Sequence, residues 1–217
     1  ISLIRQAVDQ GVNYIDTAYP YHGQTMGEGG ASEPLVGKAL QDGYRDKVYL
    51  ATKSPCWLVK EPADFDRFLD EQLARLQTDH LDFYLMHALD TEKWAILQAN
   101  DFAGFLERAI ASGRIRYAGF SFHDKLPLFK EIVDAYDWSF CQIQYNYLDE
   151  AFQAGTEASL SWSLCAAASW PEPCRRTCRQ PLTSRPPPIR LPNGGCAGSG
   201  IILKFPSSSA VSTKPII

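Results

Sequence analysis

The chain has 217 residues, of which 45% are hydrophobic and 21% charged, and its formal net charge is −4. These values are ordinary for a soluble globular protein, and the absence of an apolar run of about 18 residues argues against a membrane-spanning helix. The first residues show no signal-peptide pattern, and six cysteines without secretory context favour a reducing cytoplasm.

Helix and strand patterns alternate along residues 1–159. Apolar residues at helical spacing predict five helices, over residues 2–11, 32–43, 64–76, 101–112 and 125–136. Short apolar, branched and aromatic runs predict five strands, over residues 14–17, 47–53, 81–87, 115–121 and 139–144. Ser32 is the expected N-cap of the second helix. This alternation indicates a parallel sheet, either in a (β/α)8 barrel or in an open doubly wound fold.

Polar side chains stand at or just after the ends of the predicted strands. In parallel α/β folds the functional site lies at this edge of the sheet. Each residue alone has a structural explanation, such as a turn cap, a loop aromatic or a satisfied core histidine. Their shared position on successive strands favours a site formed by Asp16 with Tyr21, Lys53, His87, Ser121 and Gln142.

The first four of these side chains suit the reduction of a carbonyl group. A hydride that reaches the carbonyl carbon leaves an alkoxide, and Tyr21 can supply the proton it needs. A Lys53 ammonium about 4 Å from the phenol would favour loss of that proton by roughly 4 kcal/mol at an effective dielectric of about 20. Asp16 would keep Lys53 charged and oriented, and His87 would donate to the substrate oxygen. The serine and glutamine of the later strands can hydrogen-bond an amide, such as the carboxamide of a nicotinamide ring.

These residues stand in phrases that resemble the aldo-keto reductase family. The matching phrases are DTAYPYHG, YLATK, FYLMH, YAGFSFH and FCQIQYN, and the similarity extends over residues 2 to about 157. The resemblance implies a (β/α)8 barrel that reduces small carbonyl compounds, with NADPH as the usual cofactor and NADH as the alternative. It also implies a catalytic tetrad of Asp16, Tyr21, Lys53 and His87, with Asp16, Ser121 and Gln142 binding the cofactor.

Three features bear on how closely the chain follows the family. Phe122 stands where the family usually has an asparagine, and the loop at residues 24–31 is longer than usual. The phrases GFSFHD and YNYLDEAFQAGTE resemble a branch in which many members have a C-terminal iron–sulfur segment, but no cysteine run here supports such a cluster. Two other functions stay open: a non-catalytic nucleotide-binding regulatory barrel, and an iron–sulfur electron-transfer oxidoreductase in a longer protein.

Residues 160–217 differ in kind from the residues before them. Residues 1–159 hold 14 Lys and Arg against 24 Asp and Glu, whereas the tail holds 7 against one and has nine of the 14 prolines. Cys174 and Cys178 have no matching second pair, which argues against zinc, and the arginines lack the interleaved aromatic residues that would favour nucleic-acid binding. Disorder would explain this composition. We favour an out-of-frame translation, because a shifted reading frame can give family-like phrases from Leu160 and from Arg185.

We therefore expect an incomplete (β/α)8 barrel over residues 1–159 and an irregular or disordered tail over residues 160–217. The chain does not begin with Met, which favours a fragment. Five strands cannot close an eight-stranded barrel, so two edges and part of the core would stay uncovered. The chain as written is then expected to be marginally stable or inactive.

Overall fold

The computed structural model describes residues 1–25, 27–144, 153–154 and 200–202. The described residues belong to two compact units. The first unit contains Ile1–Phe122 and Trp138–Gln142, and the second contains His123–Asp137. The predicted site residues all lie in the first unit.

The described residues form six α-helices and six strands. In chain order the helices are α1 (Ser2–Asp9), α2 (Ser32–Ala39), α3 (Ala63–Leu76), α4 (Thr91–Ala99), α5 (Phe102–Ala111) and α6 (Leu126–Ala135). The strands are β1 (Tyr14–Asp16), β2 (Tyr49–Ser54), β3 (Leu81–Leu89), β4 (Ile115–Phe122), β5 (Phe140–Gln144) and β6 (Gly200–Ile202). Two short 3-10 helices lie at Arg45–Lys47 and Cys56–Leu58.

The strands follow one another across the sheet in chain order, from β1 to β6. Strands β1 to β4 pair in parallel, with Tyr14 opposite Tyr49 and Ala51 opposite Phe83. Parallel neighbours need a crossover connection, and in the first unit helices provide it. This is the architecture of part of a (β/α)8 barrel, and it confirms the five strands and five helices predicted from the sequence.

One face of the sheet bears both an apolar cluster and the predicted site. The cluster consists of Ala51, Phe83, Leu85 and Phe140, with Tyr14 and Tyr49 packed against it. Side chains two positions apart on a strand lie on the same face. Asp16, Lys53 and His87 each lie two positions beyond a cluster residue, at the carboxyl end of its strand. The cluster therefore forms the floor of the site.

Helix α3 buries its apolar side in the first unit. Its buried side chains recur at helical spacing, as predicted, and include Phe65, Phe68, Leu69, Leu73 and Leu76. Phe65 stacks on Phe105 of α5, with ring centroids 5.0 Å apart. Burial of each such side chain contributes about 1.5–3 kcal/mol. One buried residue on the same helix, Gln72, is polar and has a role described below.

The structure contains one helix that the sequence analysis did not predict. Helix α4 follows β3 directly, in a segment for which we expected no regular element. The Asp90 carboxylate accepts a hydrogen bond from the Lys93 backbone N–H at 2.9 Å and so caps the first turn. Trp94 and Leu97, three residues apart, are buried. A cap followed by this spacing is a helix signal, so the helix could have been predicted.

Some predicted element ends were wrong. Helix α2 stops at Ala39 rather than residue 43, and Ser32 is its first residue rather than its N-cap, which is Ala31. The Ser32 hydroxyl lies 2.8 Å from the Thr17 hydroxyl, and α2 has no side-chain cap hydrogen bond. Strand β3 continues two residues beyond His87, with a register shift against β4. Because of that extension, His87 is not the last residue of its strand, as was predicted.

The tail is described only at strand β6. This three-residue strand lies next to β5, in a segment for which we predicted no strand. The cysteine pair of the tail and the points at which the reading frame could shift lie outside the described residues. The out-of-frame interpretation therefore stays a prediction. Within the described part of the chain, no helix has both the length and the apolar character needed to cross a bilayer.

We predict that Asp90→Ala lowers the free energy of unfolding by about 1 kcal/mol, because the first turn of α4 loses its side-chain cap. Asp90→Asn is the matched control, since its side-chain oxygen can still accept from the Lys93 N–H. Urea unfolding of the three proteins measures the difference. Equal losses in the two variants would show that the charge of Asp90, and not its cap, stabilises the helix.

Candidate active site

The carboxyl ends of β1 and β2 bring a buried cation against a carboxylate. The Lys53 ammonium donates to Asp16 Oδ1 at 2.5 Å and to the Thr17 carbonyl oxygen at 2.9 Å. The Lys53 side chain is 2% exposed and that of Asp16 is 26% exposed. An ammonium so far out of water needs an opposite charge and hydrogen-bond acceptors. Asp16 and Thr17, adjacent in the chain, supply both.

Tyr21 lies on the loop after β1 and reaches the same ammonium. Its phenol oxygen accepts from Lys53 Nζ at 3.4 Å, and Nζ lies 4.9 Å from the ring centroid. The Tyr21 side chain is 39% exposed, so a molecule from solvent can reach the phenol. The loop turns here by a hydrogen bond from the Tyr21 N–H to the Ala18 carbonyl oxygen at 3.1 Å. The structure thus brings the first three predicted site residues into direct contact.

His87 of β3 stands beside the phenol. Its ring centroid lies 5.9 Å from that of Tyr21, and the two rings meet edge to face. On another side it meets Trp57, with centroids 5.5 Å apart. The His87 backbone N–H donates to Cys56 Sγ at 3.3 Å, and burial raises the pKa of the Cys56 thiol to about 12. Cys56 is therefore a neutral support for His87 at neutral pH, which the sequence did not reveal.

Ser121 lies close to His87 and contacts the backbone of the next residue, Ala88. Its hydroxyl oxygen accepts from the Ala88 backbone N–H at 2.6 Å. Ala88 has a φ of 52°, a left-handed conformation that a non-glycine residue adopts only at a cost. The Ser121 hydrogen bond thus holds the irregular end of β3, and the serine hydroxyl keeps its own proton to donate. Phe122, next along the strand, is buried.

Gln142 lies on β5, next to the strand of Ser121 in the sheet order, and is half-buried. It belongs to the first unit, as do the other five predicted site residues. The last two predicted residues therefore occupy neighbouring strands at the carboxyl edge. An amide and a hydroxyl in this arrangement offer both donors and acceptors to a planar amide.

The structure adds a buried polar network that the sequence analysis missed. We call it the Glu33 network; its members are Glu33, Thr52, Gln72, Arg75 and Tyr84. The Glu33 side chain is fully buried and accepts from Thr52 Oγ1 at 2.6 Å, Gln72 Nε2 at 2.7 Å and Arg75 Nε at 3.0 Å. An acidic residue in the first turn of a helix normally indicates an exposed dipole contact. Only the fold could show that Glu33 points into the protein.

The arrangement suits proton transfer to a small molecule at the exposed phenol. A cation, a phenol and an imidazole converge there, and the Asp16 carboxylate contacts the cation. Within the described ranges, no three His, Cys, Asp or Glu side chains are grouped so that they could hold a metal ion.

Related proteins match mainly the first part of the chain. Aldo-keto reductase YhdN of Bacillus subtilis is 37% identical over an alignment of 129 residues, and the match covers 56% of this chain and 36% of that protein. The 6-dehydroglucose reductase of Novosphingobium aromaticivorans is 32% identical over an alignment of 125 residues, and the match covers 55% of this chain and 40% of that protein. The chain thus matches well under half the length of these relatives.

Solved structures show the same architecture. An aldo-keto reductase of Bacillus halodurans in its holo form has a TM-score of 0.54 and 29% identity, covering 69% of this chain and 47% of that one. A putative aldo-keto reductase of Pseudomonas aeruginosa has a TM-score of 0.59 at 21% identity, covering 76% and 62%, and its likeness concerns the fold alone. A sequence model described as the aldo/keto reductase family matches residues 1–160. Because that match extends over most of the chain, the chain belongs to the aldo/keto reductase family.

Proposed function

We propose that the site reduces the carbonyl group of a small aldehyde or ketone to an alcohol, with NADPH as the reductant. The single observation that supports this most is the Lys53 ammonium, which lies 2.5 Å from Asp16 Oδ1 and 3.4 Å from the Tyr21 phenol. In this proposal Tyr21 is the general acid. Its exposed phenol donates a proton to the substrate oxygen as negative charge develops there.

Lys53 assists by stabilising the phenolate that Tyr21 becomes. The ammonium lies 3.4 Å from the phenol oxygen and attracts the negative charge that develops there as the proton leaves. Asp16 keeps the ammonium charged and fixes its direction, because its carboxylate accepts the shortest of the three hydrogen bonds that Lys53 donates. Asp16 and Lys53 thus prepare the proton donor before a substrate arrives.

His87 and Trp57 would define where the substrate lies. The imidazole stands edge to face with Tyr21, so a carbonyl oxygen next to the phenol can also accept from His87. Trp57 packs against the other side of the imidazole and forms an aromatic wall for the substrate. The relative named 6-dehydroglucose reductase supports a small polar carbonyl compound as the substrate class for this chain.

The donor and acceptor groups of the site suit a nicotinamide cofactor. Ser121, Gln142 and Asp16 would hold its ring end, since the hydroxyl proton of Ser121 and the amide of Gln142 match the carboxamide. When bound, the cofactor supplies the hydride. Membership of the aldo/keto reductase family favours NADPH over NADH. The free buried thiols of Cys56 and Cys141 are consistent with a reducing cytoplasm.

We predict that Tyr21→Phe lowers kcat about 100- to 10,000-fold, because the phenol proton is lost while the ring remains. NADPH consumption with a panel of aldehydes and ketones measures turnover, and NADPH fluorescence measures binding, which should not change. The assay is run on this chain and on a version whose frame is restored after residue 159, so that a defect of the tail is not mistaken for one of the site.

Three results would count against the proposal. Turnover by Tyr21→Phe equal to that of the unmodified protein would remove Tyr21 as the acid. NADPH binding without any carbonyl turnover, in both versions of the protein, would favour the non-catalytic nucleotide-binding barrel. No NADPH binding in either version would remove the cofactor assignment.

A further inference from the structure

We propose that Glu33 is a positioning residue, which joins the loop of Tyr21 to the strand of Lys53 and so sets the distance between phenol and ammonium. This inference rests on the proposed function of that pair. Glu33 touches neither group. It acts through two separate sets of hydrogen bonds, and each carboxylate oxygen accepts one set.

The first set leads from Glu33 Oε1 to Lys53. Oε1 accepts from the Gln72 amide at 2.7 Å, and the same amide nitrogen donates to the Lys53 carbonyl oxygen at 3.0 Å. The hydroxyl of Thr52, the residue before Lys53, donates to Oε1 at 2.6 Å. The buried Tyr84 phenol donates to Gln72 Oε1 at 2.8 Å and so fixes which end of the amide faces Glu33. Glu33 therefore holds the β2 backbone on both sides of the Thr52–Lys53 peptide.

The second set leads from Glu33 Oε2 to the Tyr21 loop. Oε2 accepts from Arg75 Nε at 3.0 Å, and Arg75 Nη2 donates to the Gly30 carbonyl oxygen. Gly30 lies directly on the backbone of Tyr21: a Cβ at this position would overlap the Tyr21 carbonyl oxygen. The Ser32 N–H donates to that same oxygen at 3.1 Å. Arg75 thus links the loop to Glu33 of α2. This link fixes the position of the Tyr21 backbone, from which the phenol extends.

The Glu33 carboxylate therefore connects the loop that bears Tyr21 to the strand that bears Lys53. Tyr21 and Lys53 lie on different elements, and the 3.4 Å contact of their side chains is too long to hold those elements by itself. The hydrogen bonds of Glu33 are shorter, at 2.6, 2.7 and 3.0 Å, and those from Thr52 and Gln72 are buried. A neutral replacement of the same size cannot serve both sets, because its amide would turn a donor toward either Arg75 or the Thr52 and Gln72 donors.

The stability that Glu33 contributes depends on pH. Burial raises the pKa of this carboxyl above its usual 4.5, although Thr52, Gln72 and Arg75 lower it. The folded state therefore holds the Glu33 proton more tightly than the unfolded state does. The stability from this group is full below pH 4.5 and is lost as the pH rises through the raised pKa. Arg75, Tyr19 and Tyr84 are the titratable groups that interact with it.

Glu33→Gln tests the proposal directly. We expect kcat to fall about 100-fold if one of the two elements moves by about 1 Å, while the binding constant of NADPH stays unchanged. Arg75→Met is the second variant, because it keeps the aliphatic stem beside Tyr19 but removes both donors at the rim of the network. It should give the same separation of kcat from NADPH binding, and it keeps the test decisive if Glu33→Gln does not fold.

Fluorine NMR of the chain labelled with fluorotyrosine supplies a readout that does not need turnover. The Tyr21 resonance is identified by its loss in Tyr21→Phe. It should shift or broaden in Glu33→Gln and in Arg75→Met. If neither this chain nor the version with its frame restored after residue 159 reduces a carbonyl compound, the proposed function fails, and the Tyr21 resonance still decides whether Glu33 positions the loop.

Ile115→Val is the matched control for a general loss of stability. Ile115 is buried at the start of β4, at the opposite end of the sheet from the site. It should leave both kcat and the Tyr21 resonance unchanged. A Tyr21 resonance unmoved in Glu33→Gln and in Arg75→Met would overturn the proposal. So would an equal change in Ile115→Val, because destabilisation alone would then explain the effect.

Discussion

The buried ammonium of Lys53 is the interaction on which the rest of the site depends. With its side chain 2% exposed, this cation would cost several kcal/mol if its acceptors were removed. Three oxygens surround it, from the Asp16 carboxylate, the Thr17 carbonyl and the Tyr21 phenol. The first belongs to the last residue of β1, the second to the residue after it and the third to the loop beyond. Because the buried Lys53 charge needs these acceptors, the end of β1 and the loop of Tyr21 are held close together. This contact places the Tyr21 proton donor beside the ammonium.

The surrounding fold keeps the geometry of the Lys53 site fixed. Below the site, the apolar cluster around Phe83 fills one face of the sheet and leaves only the carboxyl ends of the strands polar. Beside it, the Glu33 network ties α2 and α3 to the backbone of Lys53. The left-handed Ala88, held by Ser121, fixes the strand end that bears His87. Packing, buried hydrogen bonds and local strain each constrain a different member of the site.

The sequence was sufficient for strands β1 to β5 and for the grouping of the site residues. Strand ends in a parallel sheet meet at one edge, so Asp16, Lys53 and His87 could be placed together without coordinates. Helix α4 also had a readable signal, in its cap and its apolar spacing, that was overlooked. Glu33 had none, because an acid in a first helical turn looks the same in sequence whether it faces water or the core. The hydrogen bond from Ala88 to Ser121 depends on the register shift of β3, which no local pattern encodes.

A double-mutant cycle on Asp16 and Lys53 tests the central claim most directly. Asp16→Asn, Lys53→Met and the double variant are compared with the unmodified protein by kcat for NADPH-dependent carbonyl reduction. If the carboxylate acts only through the ammonium that it contacts at 2.5 Å, the double variant is no slower than the slower single variant. Losses that multiply would show that Asp16 and Lys53 act independently, and would contradict the account in which one buried ion pair prepares the phenol.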